Sequence, residues 1–95
     1  MPKVRRSFRS PLYEAPTYKH ALARIAANLR RMRQDRGWSQ ADAAQRLGMK
    51  PQQFHQLESR GNNTTLVTLA RIADAFGADI SELLAPVSPT DQTSE

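Results

Sequence analysis

No cysteine occurs in this 95-residue chain, so neither a disulfide nor a thiolate-held metal is available to brace it. The two histidines, His20 and His55, stand far apart and do not make a metal site. No apolar run approaches the roughly 18 residues that a membrane span requires. The opening, MPKVRRSFRS, is basic, but no apolar stretch follows it, so it does not read as a secretory signal. Strand-like alternation, internal repeats and low-complexity tracts are missing as well. Neither histidine has a nucleophile nearby and no carboxylates pair into a pocket, so no enzymatic chemistry is expected. These absences leave one small cytoplasmic domain without metal or cofactor. Its size is close to the limit at which a core supports itself, which keeps dimerisation in view.

Acidic residues are scarce where basic ones are dense. From Met1 to Arg36 there are ten Lys/Arg and two Asp/Glu, a balance of +8. From Gly37 to Glu95 there are four and seven, a balance of −3. Such asymmetry fits a polyanionic partner, although a charged soluble surface would look the same.

Residues 1–16 hold three prolines and little helical pattern, and read as an arm. Phe8, Leu12 and Tyr13 lie in it, so the arm is expected to pack on something in at least one state. A helical period begins near Thr17: Leu22, Ile25, Ala26, Leu29 and Met32 share one face, and Gly37 ends the run. Arg24, Arg30 and Arg31 fall on the outward side, whereas Arg33 falls near the apolar edge. Ser39 with Asp42 predicts a capped second helix ending at Leu47. Pro51 opens a third, to about Ser59. Thr65 predicts a fourth with Leu66, Leu69, Ile72, Ala73 and Phe76 on its apolar face. Asp79 with Glu82 opens a short fifth bearing Ile80, Leu83 and Leu84. The expected organisation is an arm at 1–16, an all-α domain at 17–85 and a flexible tail at 86–95. Trp38, Phe76 and the methionines are expected in the core, and His20 on the surface.

The stretch from residue 40 to residue 59 is the most informative. Two short helices flank Gly48, which can turn the chain without a Cβ clash. Small Ala44 leaves room for the next helix. This is the pattern of a helix-turn-helix. If Phe54 and Leu57 face inward, Gln52 and Gln56 point almost opposite Phe54, His55 and Ser59 flank them, and Gln53 lies nearer the core edge. Glutamine pairs a donor with an acceptor, which matches adenine N6 and N7 in a major groove. It is also simply a good exposed helix former.

The segment SQADAAQRLGMKPQQFHQLE resembles the helix-turn-helix of the Cro/C1-type (XRE) regulators. The resemblance runs from LRRMRQDRGWSQ through TLVTLARIADAFGADISELL, about residues 22–84. It implies a five-helix, lambda-repressor-like DNA-binding domain, with an N-terminal arm and a short C-terminal tail outside it. It implies base contacts from Gln52 and Gln56, with Gln53, His55 and Ser59 beside them, and a phosphate contact from Gln40. It implies an ion pair between Arg33 and Glu58, with Arg33 also near the phosphates. Arg60, Asn62 and Asn63, on the loop after the third helix, become further phosphate candidates. Two positions depart from the family. Lys50 stands where a Ser or Thr commonly caps the third helix, so its chain is free to reach a phosphate or a guanine edge. Arg60 stands where the family commonly has Gly, with Gly61 following.

The function expected from this resemblance is a sequence-specific regulator of double-stranded DNA, a repressor binding a palindrome as a homodimer. Ile80, Leu83 and Leu84 would form the subunit contact. The arm, outside the resemblance, would either reach the minor groove or phosphates through Arg5, Arg6 and Arg9 or pack across a partner subunit through Phe8, Leu12 and Tyr13. Two alternatives stay open. One is an antitoxin, whose toxin would take the arm or the tail. The other is a protein-interaction module on the same fold.

Overall fold

The computed structural model describes residues 14–62 and 64–87. In chain order the helices are α1 (Pro16–Asp35), α2 (Gln40–Leu47), α3 (Pro51–Arg60), α4 (Leu66–Phe76) and α5 (Ile80–Leu83). No strand is present among the described residues. The all-α expectation holds. Phe8, Leu12 and Tyr13 and the arginines of the arm, together with Asn63, lie outside the described residues.

Helix boundaries follow the local chemistry. Proline at the start of α1 has no N–H to leave unsatisfied there. Ser39 and Asp42 form a reciprocal capping box at α2: the Ser39 hydroxyl accepts from the Asp42 N–H, and the Asp42 carboxylate from the Ser39 N–H. Thr65 caps α4 through the Thr68 N–H, and Asp79 with Glu82 repeats the box at α5. Between α2 and α3, Gly48 sits at φ 69°, while Met49 N–H reaches back to the Ala44 carbonyl at 2.9 Å. That Schellman turn satisfies the end of α2 and reverses the chain within two residues.

The core is one cluster. Ile25, Leu29 and Met32 of α1 meet Ala43, Ala44 and Leu47 of α2, Phe54 and Leu57 of α3, Leu69, Ile72 and Phe76 of α4, and Leu83 of α5. Phe54 is fully excluded from water and is the peg that seats α3 against α1 and α2. Burial of such side chains contributes about 1.5–3 kcal/mol each, so the orientation of α3 is firmly set. Trp38 is only half-buried: it stacks on Phe76 at 5.2 Å between centroids, and the Arg46 guanidinium covers its ring at 4.4 Å.

Two expectations about the apolar faces need correction. Leu66 is 71% exposed and Val67 beside it 69% exposed. They occupy the first turn of α4, ahead of the point where that helix meets the core. Leu83, assigned to a subunit contact, is fully buried within its own chain. Its backbone carbonyl accepts from the Asn28 amide of α1 at 2.9 Å, and the Ala85 carbonyl accepts from the same nitrogen at 3.0 Å. Leu83 therefore closes the end of the core and offers nothing to a second copy. Ile80 and Leu84, also assigned to that contact, are half-buried.

Candidate nucleic-acid interface

Burying Phe54, Leu57 and Glu58 fixes the rotation of α3 about its own axis. Lys50, Gln52, Gln53, His55, Ser59 and Arg60 are consequently exposed, and Gln56 is half-buried. Gln52 and Gln56 are four residues apart and share one side of the helix. The amide-bearing stripe thus faces solvent, fully at Gln52 and partly at Gln56.

Gln56 is less free than its rotation alone predicts. Its carbonyl oxygen accepts from the Asn62 amide at 3.3 Å, a contact made by the chain after α3. An amide oxygen has two lone pairs, so this bond orients the Gln56 head without exhausting it. Asn62 accordingly lies next to the stripe, whereas Arg60 belongs to the last turn of α3 and not to the loop. Gly61 takes the turn at φ 69°, where an added Cβ would lie 2.2 Å from the Leu22 carbonyl of α1. The departure at Arg60 is therefore absorbed one residue later.

Behind the stripe lies a polar chain that holds α1, α2 and α3 together. Arg33 Nε donates to Glu58 Oε2 at 2.5 Å and Arg33 Nη2 to Oε1 at 3.2 Å, while Arg33 Nη1 donates to the Trp38 carbonyl at 2.8 Å. The Glu58 side chain is 2% exposed and that of Arg33 14%. A carboxylate taken so far out of water needs this partner. Gln40 Nε2 also donates to Glu58 Oε1, at 2.6 Å. With its NH2 group so used, Gln40 turns its oxygen toward His55 Nδ1 at 3.3 Å, which must then be the donor. His55 Nε2 lies 3.4 Å from the Ser59 hydroxyl, whose shorter bond goes to the His55 carbonyl at 2.7 Å. The result is electrostatic as well as mechanical. The carboxylate that α3 carries is neutralised behind the helix, and the exposed cations Lys50 and Arg60 dominate its outer side.

Lys50 precedes Pro51 at the start of α3 and makes no side-chain cap. It is exposed, at a helix start where a cation is unfavourable. Gln53 is exposed on the other edge, above a hollow it shares with Met49, Leu57 and Thr68.

A family model described as a helix-turn-helix domain matches residues 24–85. The chain belongs to the helix-turn-helix family. Similar proteins include an uncharacterized HTH-type transcriptional regulator, y4dJ, of Sinorhizobium fredii, 35% identical over 69 residues that cover 73% of this chain and 86% of that protein. The HTH-type transcriptional regulator RamB of Mycobacterium tuberculosis is 36% identical over 55 residues, which are 58% of this chain but only 12% of RamB. The crystal structure of a hypothetical transcription factor, NHTF, from Neisseria superposes with a TM-score of 0.64 at 28% identity, covering 78% of this chain and 80% of that one.

Within this helix-turn-helix protein, sequence reasoning passed over three side chains that hold the domain in shape. Asn28 is buried at 2% exposure and ties α1 to the Leu83 carbonyl at the end of α5 and the Ala85 carbonyl beyond it. Its signal was present: it follows Ile25 by three residues on an otherwise apolar stripe. Arg71 of α4 donates to the Leu47 carbonyl at 2.8 Å, closing the end of α2 beside Gly48. Arg36 packs over Phe76 at 5.0 Å and donates to that residue's carbonyl. Neither arginine announces itself in sequence, because each bonds to backbone on a remote helix.

Proposed function

We propose that this helix-turn-helix protein is a Cro/C1-type transcription regulator that binds double-stranded DNA as a homodimer and represses by occupying a promoter. One observation carries the reading: the Gln52–Gln56 stripe of α3 is presented to solvent while the helix's own carboxylate is neutralised behind it. A carboxylate left unpaired there would repel the phosphates flanking a major groove. The family match and the names of the relatives support the same reading.

In this account α3 lies in the major groove. Gln52 and Gln56 read base edges, and Asn62 sets the Gln56 amide in advance. Gln53, His55 and Ser59 border them. Lys50 reaches a phosphate or a guanine edge. Gln40 has its side chain committed to Glu58 and His55, so its phosphate contact falls to main-chain N–H groups at the start of α2. Arg33, Arg60 and Asn62 add phosphate contacts, with Asn63 and the arginines of the arm as further candidates. The exposed edges of Ile80 and Leu84 are what remain of the α5 surface for self-association. Two copies related by a twofold axis would place their α3 helices about 34 Å apart, on half-sites about 10 bp apart.

The test is selection from a random duplex library, followed by titration of the selected duplex and an unrelated one at two salt concentrations. The proposal expects a preferred palindromic site and affinity that falls steeply with salt. Absent or salt-insensitive binding would instead support an interaction module.

A further inference from the structure

A cleft of about 410 Å3 opens where the end of α3 meets the first half of α1. Its floor is Leu22 and Ala23, with further alanines of α1, and Lys19, Arg30, Ser59 and Arg60 stand around it. Three cations thus surround a shallow apolar floor. Among the described residues, Lys19 carries the one carboxylate bonded to any of them, its ion pair with exposed Glu14 at 2.8 Å. Arg30 Nη2 points at the Glu58 carbonyl at 3.4 Å, in the last turn of α3. The carbonyl end of a helix carries partial negative charge, and Arg30 and Arg60 together offset it.

The cleft is continuous with the proposed reading face. At about 100° per residue, Ser59 falls within roughly 20° of Gln52, and Arg60 lies on the other side of Gln56. The two therefore straddle the amide stripe one turn further along. Lys19 and Arg30 are eleven residues apart on α1, or about 16 Å, enough to meet phosphates several base steps apart at about 3.4 Å of rise per step.

We infer that the DNA footprint continues past the end of α3 onto α1, with Lys19, Arg30 and Arg60 clamping the sugar–phosphate backbone outside the half-site. The inference rests on the reading of α3 as the base-reading helix. Lys19 exchanges its bond to Glu14 for a phosphate, and the alanine floor lets the backbone lie close against α1. These contacts add affinity without sequence information. They come from side chains of the folded domain.

The experiment uses the full chain, its selected duplex with at least ten base pairs on either side, and the same duplex trimmed to the recognised site. Affinity is measured across a salt series for wild type, Lys19→Gln/Arg30→Gln and Arg30→Lys. The double variant should reduce the magnitude of the log K against log salt slope by about 1.8 per half-site, or about 3.6 for the dimer on its palindrome, at about 0.9 per lost phosphate. Its base preferences should be unchanged. Trimming should reduce the wild-type slope more than that of the double variant, which has only the Arg60 contact left to lose, and Arg30→Lys should behave as wild type. The inference is overturned if wild type selects a site but the double variant, folded by circular dichroism, keeps the full slope. It is also overturned if base preference is lost with the slope, or if the cleft cations bind a poly-glutamate peptide while leaving the DNA slope untouched. If wild type selects no duplex at all, the failure belongs to the proposed function itself.

Discussion

Glu58, from within α3, receives Arg33 of α1 through both of its carboxylate oxygens. This pair fixes the register of α3 against α1 and hides a negative charge from the outer face. Removing Arg33 leaves a carboxylate at 2% exposure with, among the described residues, only the Gln40 amide to satisfy it. Arg33→Ala should therefore cost about 3–5 kcal/mol of unfolding free energy. Glu58→Gln keeps the shape and much of the hydrogen bonding and should cost less. Urea denaturation of both variants measures the difference, and a loss below 1 kcal/mol for Arg33→Ala would class the pair with exposed ones.

Gly61 and Gly37 share a positive φ, 69° and 70°, but not their surroundings. An added Cβ at Gly37 meets nothing, whereas at Gly61 it collides with the Leu22 carbonyl. Gly37→Ala should cost about 1–2 kcal/mol, the conformational penalty alone. Gly61→Ala should cost clearly more, because α1 backbone must move as well. Equal losses in parallel denaturation curves would mean that the α3 end does not press on α1.

Asn28 anchors the end of α5 and the turn beyond it through two carbonyls 55 and 57 residues away. Asn28→Ala strands those carbonyls and should cost about 1–3 kcal/mol. Amide exchange should quicken first around residues 80–85, ahead of the rest of the domain. Uniform loss of protection would show that α5 and the core unfold as one unit.

Acid should weaken the caps. Hydrogen bonds from the Ser39 backbone and then its side chain hold the Asp42 carboxyl below the ordinary aspartate value. The Ser81 side chain and then its backbone do the same for Asp79. A group whose pKa is lowered by folding contributes stability that is fully present above its unfolded value, about 3.9. That contribution disappears as pH falls through the lower folded value. Stability should thus decline below about pH 4, and Asp42→Asn/Asp79→Asn should flatten that decline while lowering stability at neutral pH. Melting curves across the pH range check both effects.

What the sequence made legible was mostly local. Ser39–Asp42, Thr65 and Asp79–Glu82 state their helix starts within three residues, and the Gly48 turn is equally short-range. The facing of α3 follows from Phe54 and Leu57 alone. Arg33 and Glu58 were matched through resemblance to a family rather than through spacing. The roles of Asn28, Arg71 and Leu83 depend on which remote backbone each meets, which no periodicity encodes. Gln56 shows the boundary well: its direction is read from the helix, but its bond to Asn62 depends on the path of the chain after Gly61.

The most direct measurement is duplex selection repeated with Gln52→Ala and with Gln56→Ala. If α3 reads bases, each variant should lose discrimination at a single position per half-site, by about 1–3 kcal/mol, and keep the rest of the preferred sequence. An equal loss on every duplex, with the preferred sequence intact, would contradict base reading by these glutamines.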